Sequence, residues 1–302
     1  MNGMPSVAII STVHRPGPSF STWLTYHLQR VDYILLFIDD LTKWNEFRSN
    51  DPRVILFAGS QQESQLEDQR KPMRHLVRQR INVHTALEYC LANDITWLLH
   101  IDDDELFFEG SQKEWPTWDF GQIRFINHEV VQSVFEVNDI FRDVEPLFKK
   151  NFAYNIHSGY RFLSYQNGKS AVRVSPNIAT DWHPHWYARY EGKSISVGTP
   201  MILHYSGVTY ERWVAKFKNL GNFSEYVNDQ KSIHYDDRFY FKTRDIVLEA
   251  EKTGNWETAR QWYFALFPHL ESTRRPLLER GLLQTTSQLE VPLTPGGIRL
   301  PD

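Results

Sequence analysis

The sequence predicts an α/β fold: a mainly parallel central sheet, flanking helices and a helical C-terminal extension. Three observations carry that expectation. Apolar runs too short for helices alternate with longer amphipathic segments through the first hundred residues. The chain has 302 residues, of which 41% are apolar and 14% aromatic, enough to bury a substantial core. Beyond residue 209 the apolar spacing becomes helical and rich in Trp, Tyr and Phe.

The elements follow in order. "SVAIIST" (6–12) is an apolar run closed by the turn cluster "HRPGP". From Ser19, a plausible N-cap, Phe20, Trp23, Leu24 and Leu28 recur at helical spacing. "YILLFI" (33–38) and "RVILFA" (53–58) are continuous apolar runs, the pattern of strands buried on both faces. Residues 72–92 predict a long helix with Met73, Leu76, Val77, Ile81, His84, Leu87 and Leu91 on its apolar stripe. "ITWLLHI" (95–101) is the next strand. "GQIRFINHEVV" (121–131) and "KSAVRVSPNI" (169–178) alternate, as strands with one wet face do. Helices are predicted over 209–228 and 236–267. The Pro- and Gly-rich tail, 286–302, reads as extended or disordered. The economical division is one domain over 1–235, with halves meeting near 108, followed by a helical extension over 236–285.

Composition narrows the function. Lys and Arg total 33 against 37 Asp and Glu, a net charge of −4 with no basic block, so no nucleic-acid partner is expected. One cysteine, Cys90, excludes an intrachain disulfide and a cysteine-based zinc site. The N-terminal "MNGMPSVAIISTVHRPG" has no basic stretch, and its apolar run, Val7 to Ile10, is too short for a signal peptide or membrane span. A cytoplasmic protein without a membrane span is therefore expected, or a Golgi-lumenal one if the chain is a piece of something longer. The triplet Asn222-Phe223-Ser224 is a glycosylation sequon of a kind common by chance.

The chemistry concentrates in "WLLHIDDDELFF" (97–108), where four carboxylates follow a buried strand. Like charges packed together disfavour one another's ionised form. In open parallel sheets ligands bind outside the carboxyl ends of the strands, and Asp39-Asp40 ends "YILLFI" in the same way. If the strand continues, Asp102 and Asp104 share a side and Asp103 points away. An Asp-x-Asp pair is a hard oxygen site suited to Mg²⁺ or Mn²⁺, with Glu105 in support. The competing reading is a solvated acidic turn or a helix cap.

Three stretches in order resemble the nucleotide-sugar glycosyltransferases of the GT-A fold, in particular family-2-like and family-92-like members. They are "STWLTYHLQRVDYILLFIDD", "QRINVHTALEYCLANDITWLLHIDDDELFF" and "MILHYSGVTYERWVAKFKNLG". The resemblance covers residues 6 to about 220. The resemblance implies a Rossmann-like catalytic domain over 1–235, with a nucleotide-binding half to about 108 and an acceptor half after it. It also implies a UDP-sugar or other nucleotide-sugar donor, Mn²⁺ or Mg²⁺, and a glycan or glycoconjugate acceptor. Carried onto this chain, Asp39 would accept hydrogen bonds from the base, and Thr12 and His14 would line the nucleotide pocket. Asp102 would contact ribose or metal, Asp104 would ligate the metal, and His204 would bind metal or diphosphate. The chain has Asp-Asp at 39–40 where relatives often have Asp-Asn.

Further candidates come from the residues themselves. Arg80 sits on the long helix's apolar stripe, where it would reach a phosphate, pair with Asp39 or Asp102, or snorkel to the surface. "DWHPHWYARY" (181–190) sets His183 and His185 among aromatics, and Trp182, His185, Trp186 and Tyr187 suit a sugar-binding wall as well as an aromatic core. An inverting transferase needs a carboxylate base at the acceptor hydroxyl, and Glu129 and Asp181 are the candidates. Arg212, Lys216 and Lys218 lie on a helix, as an ordinary solvated face or as diphosphate contacts. Two alternatives use the same residues: a two-metal phosphohydrolase or nucleotidyltransferase with His183, His185 and His204, and a non-catalytic carbohydrate-binding protein.

Overall fold

The computed structural model describes residues 5–14, 16–42, 47, 49–59, 75–109, 120–130, 137–144, 147–149, 168–176, 178, 182–183, 186–187, 190–205, 209–219, 239–266, 271–280 and 283–285. The chain divides into two compact units interleaved along the sequence. The first comprises Met1–His128, Tyr165–His204 and Ser287–Asp302, and the second Glu129–Ser164 and Tyr205–Thr286.

The first unit is built on an α/β sheet, as the apolar runs predict. Its elements are β1 (Val7–Val13), α1 (Phe20–Leu28), β2 (Tyr33–Ile38), β3 (Val54–Ala58), α2 (His75–Ala92), β4 (Trp97–His100), β5 (Glu105–Phe108) and β6 (Phe120–Glu129). Then, past α3 (Ile140–Asp143) and β7 (Leu147–Lys149) of the second unit, come β8 (Ser170–Arg173), the ribbon strands β9 (Trp182–His183) and β10 (Trp186–Tyr187), and β11 (Lys193–His204). Eight strands form one sheet in the order β3-β2-β1-β4-β8-β6-β11-β5. The first four are parallel, with Ile9 level with Ile34 and Leu99. β8 runs antiparallel to both β4 and β6, and β5 antiparallel to β11. The continuous apolar runs thus fall in the parallel half, covered on both faces in β1, β2 and β4, whereas β3, predicted to be equally buried, lies at the sheet edge and is only half-buried. The alternating runs fall in the antiparallel half.

Side-chain alternation sorts β1 between two layers. Ala8 and Ile10 pack with Leu35, Phe37, Leu98 and Val172 against Val83, Ala86, Leu87 and Cys90 of α2. The buried stripe of α2 therefore runs through Gln79, Asn82, Val83, Ala86, Leu87 and Cys90, whereas His84 and Leu91 are exposed. That stripe is rotated from the one predicted by apolarity, because two polar residues are buried for reasons given below.

β4 and β5 are joined by only four residues, 101–104, yet lie four places apart in the sheet. Five peptide steps reach at most about 18 Å, whereas four strand spacings in a flat sheet need about 19 Å. Part of that reach is consumed by a turn, in which the Glu105 amide donates to the Asp102 carbonyl at 3.2 Å. The sheet therefore curls, bringing edge strand β5 back toward the end of β4.

Helix α1 seals that edge. Trp23, Tyr26 and Tyr26's neighbour His27 lie on one helix face at i, i+3 and i+4. The Trp23 indole donates to the Glu105 carbonyl at 2.8 Å, and the Tyr26 hydroxyl to the Phe107 carbonyl at 3.0 Å. His27 Nε2 accepts from the Phe107 amide at 3.2 Å while Nδ1 faces the Trp23 carbonyl at 2.8 Å, so its ring is neutral and Nδ1 carries the hydrogen. Burial pushes the His27 pKa down to about 3, which keeps the ring neutral across physiological pH. Ser19 occupies the N-cap position of α1 but makes no side-chain capping bond.

The second unit holds α3 and β7, then α4 (Tyr210–Asn219), α5 (Phe239–Thr253), α6 (Glu257–Leu266), α7 (Glu271–Glu279) and β12 (Leu283–Thr285), which pairs antiparallel with β7. The helix predicted over 236–267 is two helices. Gly254 at φ +72° ends α5, and the Asn255 side chain caps α6 by accepting the Glu257 amide. Trp213, Phe217, Val247, Ala250, Ala259 and Tyr263 form the core of α4, α5 and α6. The tail 286–302 and residues 220–228 of the helix predicted over 209–228 lie outside the described residues. Among the described residues no helix is long and apolar enough to cross a membrane.

Tyr26→Phe keeps the packing of α1 but leaves the buried Phe107 carbonyl without its donor. A loss of about 1–2 kcal/mol of unfolding free energy is expected, measured by urea denaturation beside the wild type.

Candidate functional site

Three parallel strands, β1, β2 and β4, end on one side of the sheet, β1 and β2 level and β4 three residues earlier in register, and each end carries a polar residue held by α2. At the end of β1, Thr12 Oγ1 accepts from Asn82 Nδ2 at 3.0 Å. Past the end of β2, the Asp39 carboxylate takes a two-pronged bond from Arg78, Nε to Oδ1 at 2.9 Å and Nη2 to Oδ2 at 2.8 Å. Beyond β4, Asp102 Oδ1 accepts from Gln79 Nε2 at 3.3 Å. Arg78, Gln79 and Asn82 occupy positions i, i+1 and i+4, one face of a helix turn. This is why α2 buries Gln79 and Asn82.

Asp39 is buried, and His14 Nδ1 stands 3.6 Å from its Oδ2 with the ring 56% exposed. Asp39 and His14 thus meet past the end of β2, and Thr12 lies near the end of the neighbouring strand. Arg80 does not join them: its side chain is exposed, and Arg78, two residues earlier, makes the Asp39 pair instead. A shift of two positions turns a side chain by about 200° around a helix, so the displaced stripe leaves Arg80 at the surface, the alternative given for it above.

The carboxylates 102–105 do not alternate along a strand, because β4 stops at His100 and residues 103–104 form a turn. Asp102 and Asp104 consequently take different partners. Lys169 Nζ, delivered from the residue before β8, donates to Asp102 Oδ2 at 2.6 Å and lies 3.5 Å from Glu105 Oε2. His100 Nε2 stands 4.0 Å from Asp102 Oδ1. The Asp102 side chain is nevertheless 35% exposed. Asp104 Oδ2 lies 3.4 Å from Nε2 of His204, the last residue of β11 and the register partner of Glu105. Glu105 is buried, and its Oε2 accepts the Asp102 amide at 2.8 Å.

Electrostatics separates these groups. Burial works against the Asp102 charge, but the Lys169 ammonium outweighs it and holds the carboxyl well below the usual range. Burial also works against Lys169, and Asp102 and Glu105 outweigh it, keeping the ammonium charged above its usual value. Glu105 is pushed up to about 7, chiefly by burial, with Asp102 and Asp104 adding to the rise and Lys169 and His204 opposing it.

Tyr187 is buried in the α2-facing core, with its amide donating to Gln122 Oε1 at 2.6 Å, so it is a core residue and not part of a sugar-binding wall. Glu129 ends β6 with its side chain buried. Asp181 and His185 lie outside the described residues, as do the side chains of Trp182, His183 and Trp186. Arg212 donates to the Asn138 carbonyl at 3.0 Å, and Lys218 pairs with Glu251 at 2.6 Å; these are contacts within the second unit. Sequence reading missed Arg78, Gln79, Asn82 and Lys169. Polar residues at i, i+1 and i+4 on a helix leading to an acidic strand end are a usable signal for the first three. A single lysine at a strand start is none.

Two proteins of Arabidopsis thaliana described as glycosyltransferase-like are similar to this chain. One is 27% identical over 162 residues, which are 45% of this chain and 30% of the relative; the other is 29% identical over 155 residues, 43% and 34%. The chain thus spans about a third of the length of the curated relatives it matches. No family model matches it. A crystal structure of a glycosyltransferase involved in glycosylation of the major capsid of PBCV-1 covers 72% of this chain and 98% of its own, at 10% identity and a TM-score of 0.29. The chain is therefore similar in sequence to glycosyltransferase-like proteins.

The Glu105 shift gives a pH signature. A carboxyl whose folded pKa is raised binds its proton more tightly in the fold than in the unfolded chain, so stability falls as pH rises through that window. The opposing shifts lie outside it: the Asp102 contribution is lost only in acid, and that of Lys169 only in strong alkali. Glu105→Gln mimics the protonated acid. Between pH 5 and pH 8 the wild type should lose about 1 kcal/mol or more relative to Glu105→Gln, read from urea denaturation at both pH values.

Proposed function

We propose that this chain is a metal-dependent glycosyltransferase, moving a sugar from a nucleotide-sugar donor, preferably a UDP-sugar, to a hydroxyl of a glycan or glycoconjugate. The observation that carries this reading is the gathering of Thr12, His14, Asp39, Asp102, Asp104 and His204 where parallel strands end on a curled sheet. Open α/β sheets bind nucleotides at such places, and the similarity to glycosyltransferase-like proteins supports the same reading.

The residues divide the donor between them. The Asp39 carboxylate, oriented by Arg78, accepts hydrogen bonds from a base N–H, and His14 closes the exposed side. The open edge of Asp102 accepts from a ribose or sugar hydroxyl. Asp104 and His204 bring a carboxylate and an imidazole together at 3.4 Å. Among the described residues there is no group of three or more His, Cys, Asp or Glu arranged to hold a metal. The donor set accordingly fits a cation that keeps positions for phosphate oxygens and water, as Mn²⁺ and Mg²⁺ do. Such an ion, when bound, supplies positive charge opposite the leaving diphosphate. Trp182, His185 and Trp186 are the proposed acceptor wall, and Glu129 or Asp181 the base that takes the acceptor hydroxyl proton.

Titration calorimetry with UDP and Mn²⁺ tests the reading. Wild-type protein should bind UDP only with the cation present, and Asp104→Ala should weaken that binding at least tenfold. Absence of UDP, GDP and sugar-nucleotide binding in every metal, or unchanged binding in Asp104→Ala, would remove its basis.

A further inference from the structure

The second unit carries a groove of its own along one face of α5, from Lys242 to Thr253, about 16 Å of helix axis. The groove takes in the start of α6 at Asn255 and Thr258. Its volume is about 760 Å³, within the range of small-molecule sites. The walls are fixed before anything binds. The Trp262 indole donates to Thr243 Oγ1 at 3.0 Å, tying α6 to α5, and Lys242 Nζ lies 4.5 Å over the Trp262 ring. At the hairpin end, Thr253 Oγ1 donates to the Glu249 carbonyl at 2.8 Å and accepts the Asn255 amide at 3.3 Å, while Asn255 Oδ1 accepts the Glu257 amide. A ligand therefore has little to order on entry.

The lining selects the ligand. Its floor is narrow and apolar, the half-buried Ile246 and the buried Ala250. Beside them stand the Asp245 and Glu249 carboxylates, one helix turn apart and 57% and 64% exposed. Asp245 engages Arg244 through Oδ1 alone, and Glu249 approaches Lys252 only to 3.9 Å. The Asn255 amide nitrogen and the Thr258 hydroxyl make no hydrogen bond among the described residues. Two carboxylates against one ammonium, that of Lys242, disfavour an anion. An apolar ligand would strip water from both carboxylates, and a floor of two aliphatic side chains offers a partner helix little surface to bury. What fits is a ring with apolar C–H faces and hydroxyls that both donate and accept. Carboxylates accept from such hydroxyls, and Lys242, Asn255 and Thr258 donate to them. We infer that the α5–α6 groove is a binding site for a neutral oligosaccharide, laid along α5 over Ile246 and Ala250 with its hydroxyls on Asp245, Glu249 and Asn255. None of these residues belongs to the strand-end site, so the groove holds glycan whether or not the chain transfers sugar.

Saturation-transfer NMR and titration calorimetry with neutral tetrasaccharides of glucose, mannose, galactose and xylose test this on the full chain. At least one should bind with a Kd of about 1 mM or tighter, and equally well in Asp104→Ala. Asp245→Asn combined with Glu249→Gln should weaken that binding at least about tenfold in protein that stays folded by circular dichroism. Thr258→Trp, which fills the groove from an exposed position, should do the same. Phe264→Ala, which removes an exposed ring of α6 outside the groove, should leave binding unchanged. A wild type that binds none of the tetrasaccharides would overturn the inference. So would binding that survives Thr258→Trp, or that is lost in Asp104→Ala or Phe264→Ala. Capture of a lysine-rich helical peptide in place of every sugar would overturn it too. If Thr258→Trp does not fold, the combined carboxylate variant decides. Tetrasaccharide binding without UDP binding would sink the proposed function and leave the groove standing, and UDP binding without tetrasaccharide binding would do the reverse.

Discussion

Everything at the candidate site depends on a four-residue connection between strands that sit four places apart in the sheet. The chain cannot cross a flat sheet in that distance, so the sheet curls. Curling sets the start of β5 beside the end of β4 and the start of β8. Lys169 can then reach both Asp102 and Glu105, and His204, on the strand paired with β5, can reach Asp104. A longer loop would let those carboxylates spread into water. The short one concentrates them, which is unfavourable without compensating cations.

Compensation comes from residues distant in sequence. On one side, α2 supplies Arg78 to Asp39, Gln79 to Asp102 and Asn82 to Thr12, one donor for each of three strand ends. On the other, β8 supplies Lys169 and β11 supplies His204. The site is thus cross-linked polar side chain by polar side chain before any ligand arrives. Preorganisation of that kind reduces the ordering a ligand must impose on binding. It also explains why α2 buries polar residues on a face that apolarity alone would have aimed elsewhere.

Much of this architecture is legible in the sequence. The apolar runs at 33–38, 53–58 and 95–101 mark strands, and the switch to alternating patterns at 121 and 169 coincides with the change from parallel to antiparallel pairing. Asp39, Asp102, Asp104 and His204 are visible as polar residues at strand ends. Their partners are not. Arg78 and Arg80 are indistinguishable to a pattern read without knowing which polar residues the sheet will claim. Lys169 lies 67 residues from Asp102, and only the tertiary fold sets it there. The split of α5 from α6 at Gly254 was open to reading, since glycine followed by asparagine is a common helix stop and restart. Tyr187 resembles a sugar platform in composition and is a core residue in fact, because aromatic clusters serve both ends equally well.

The bonds from Trp23, Tyr26 and His27 to β5 carry a consequence beyond stability. A sheet's terminal strand ordinarily presents bare amides and carbonyls that another chain can extend, the route to edge-to-edge aggregation. Here the Glu105 carbonyl and both backbone groups of Phe107 are already engaged by side chains of α1. Along that stretch the "ELFF" strand, apolar and β-prone enough to recruit a neighbour, offers no template. The helix that frames the acidic turn is also the molecule's guard against self-association at that edge.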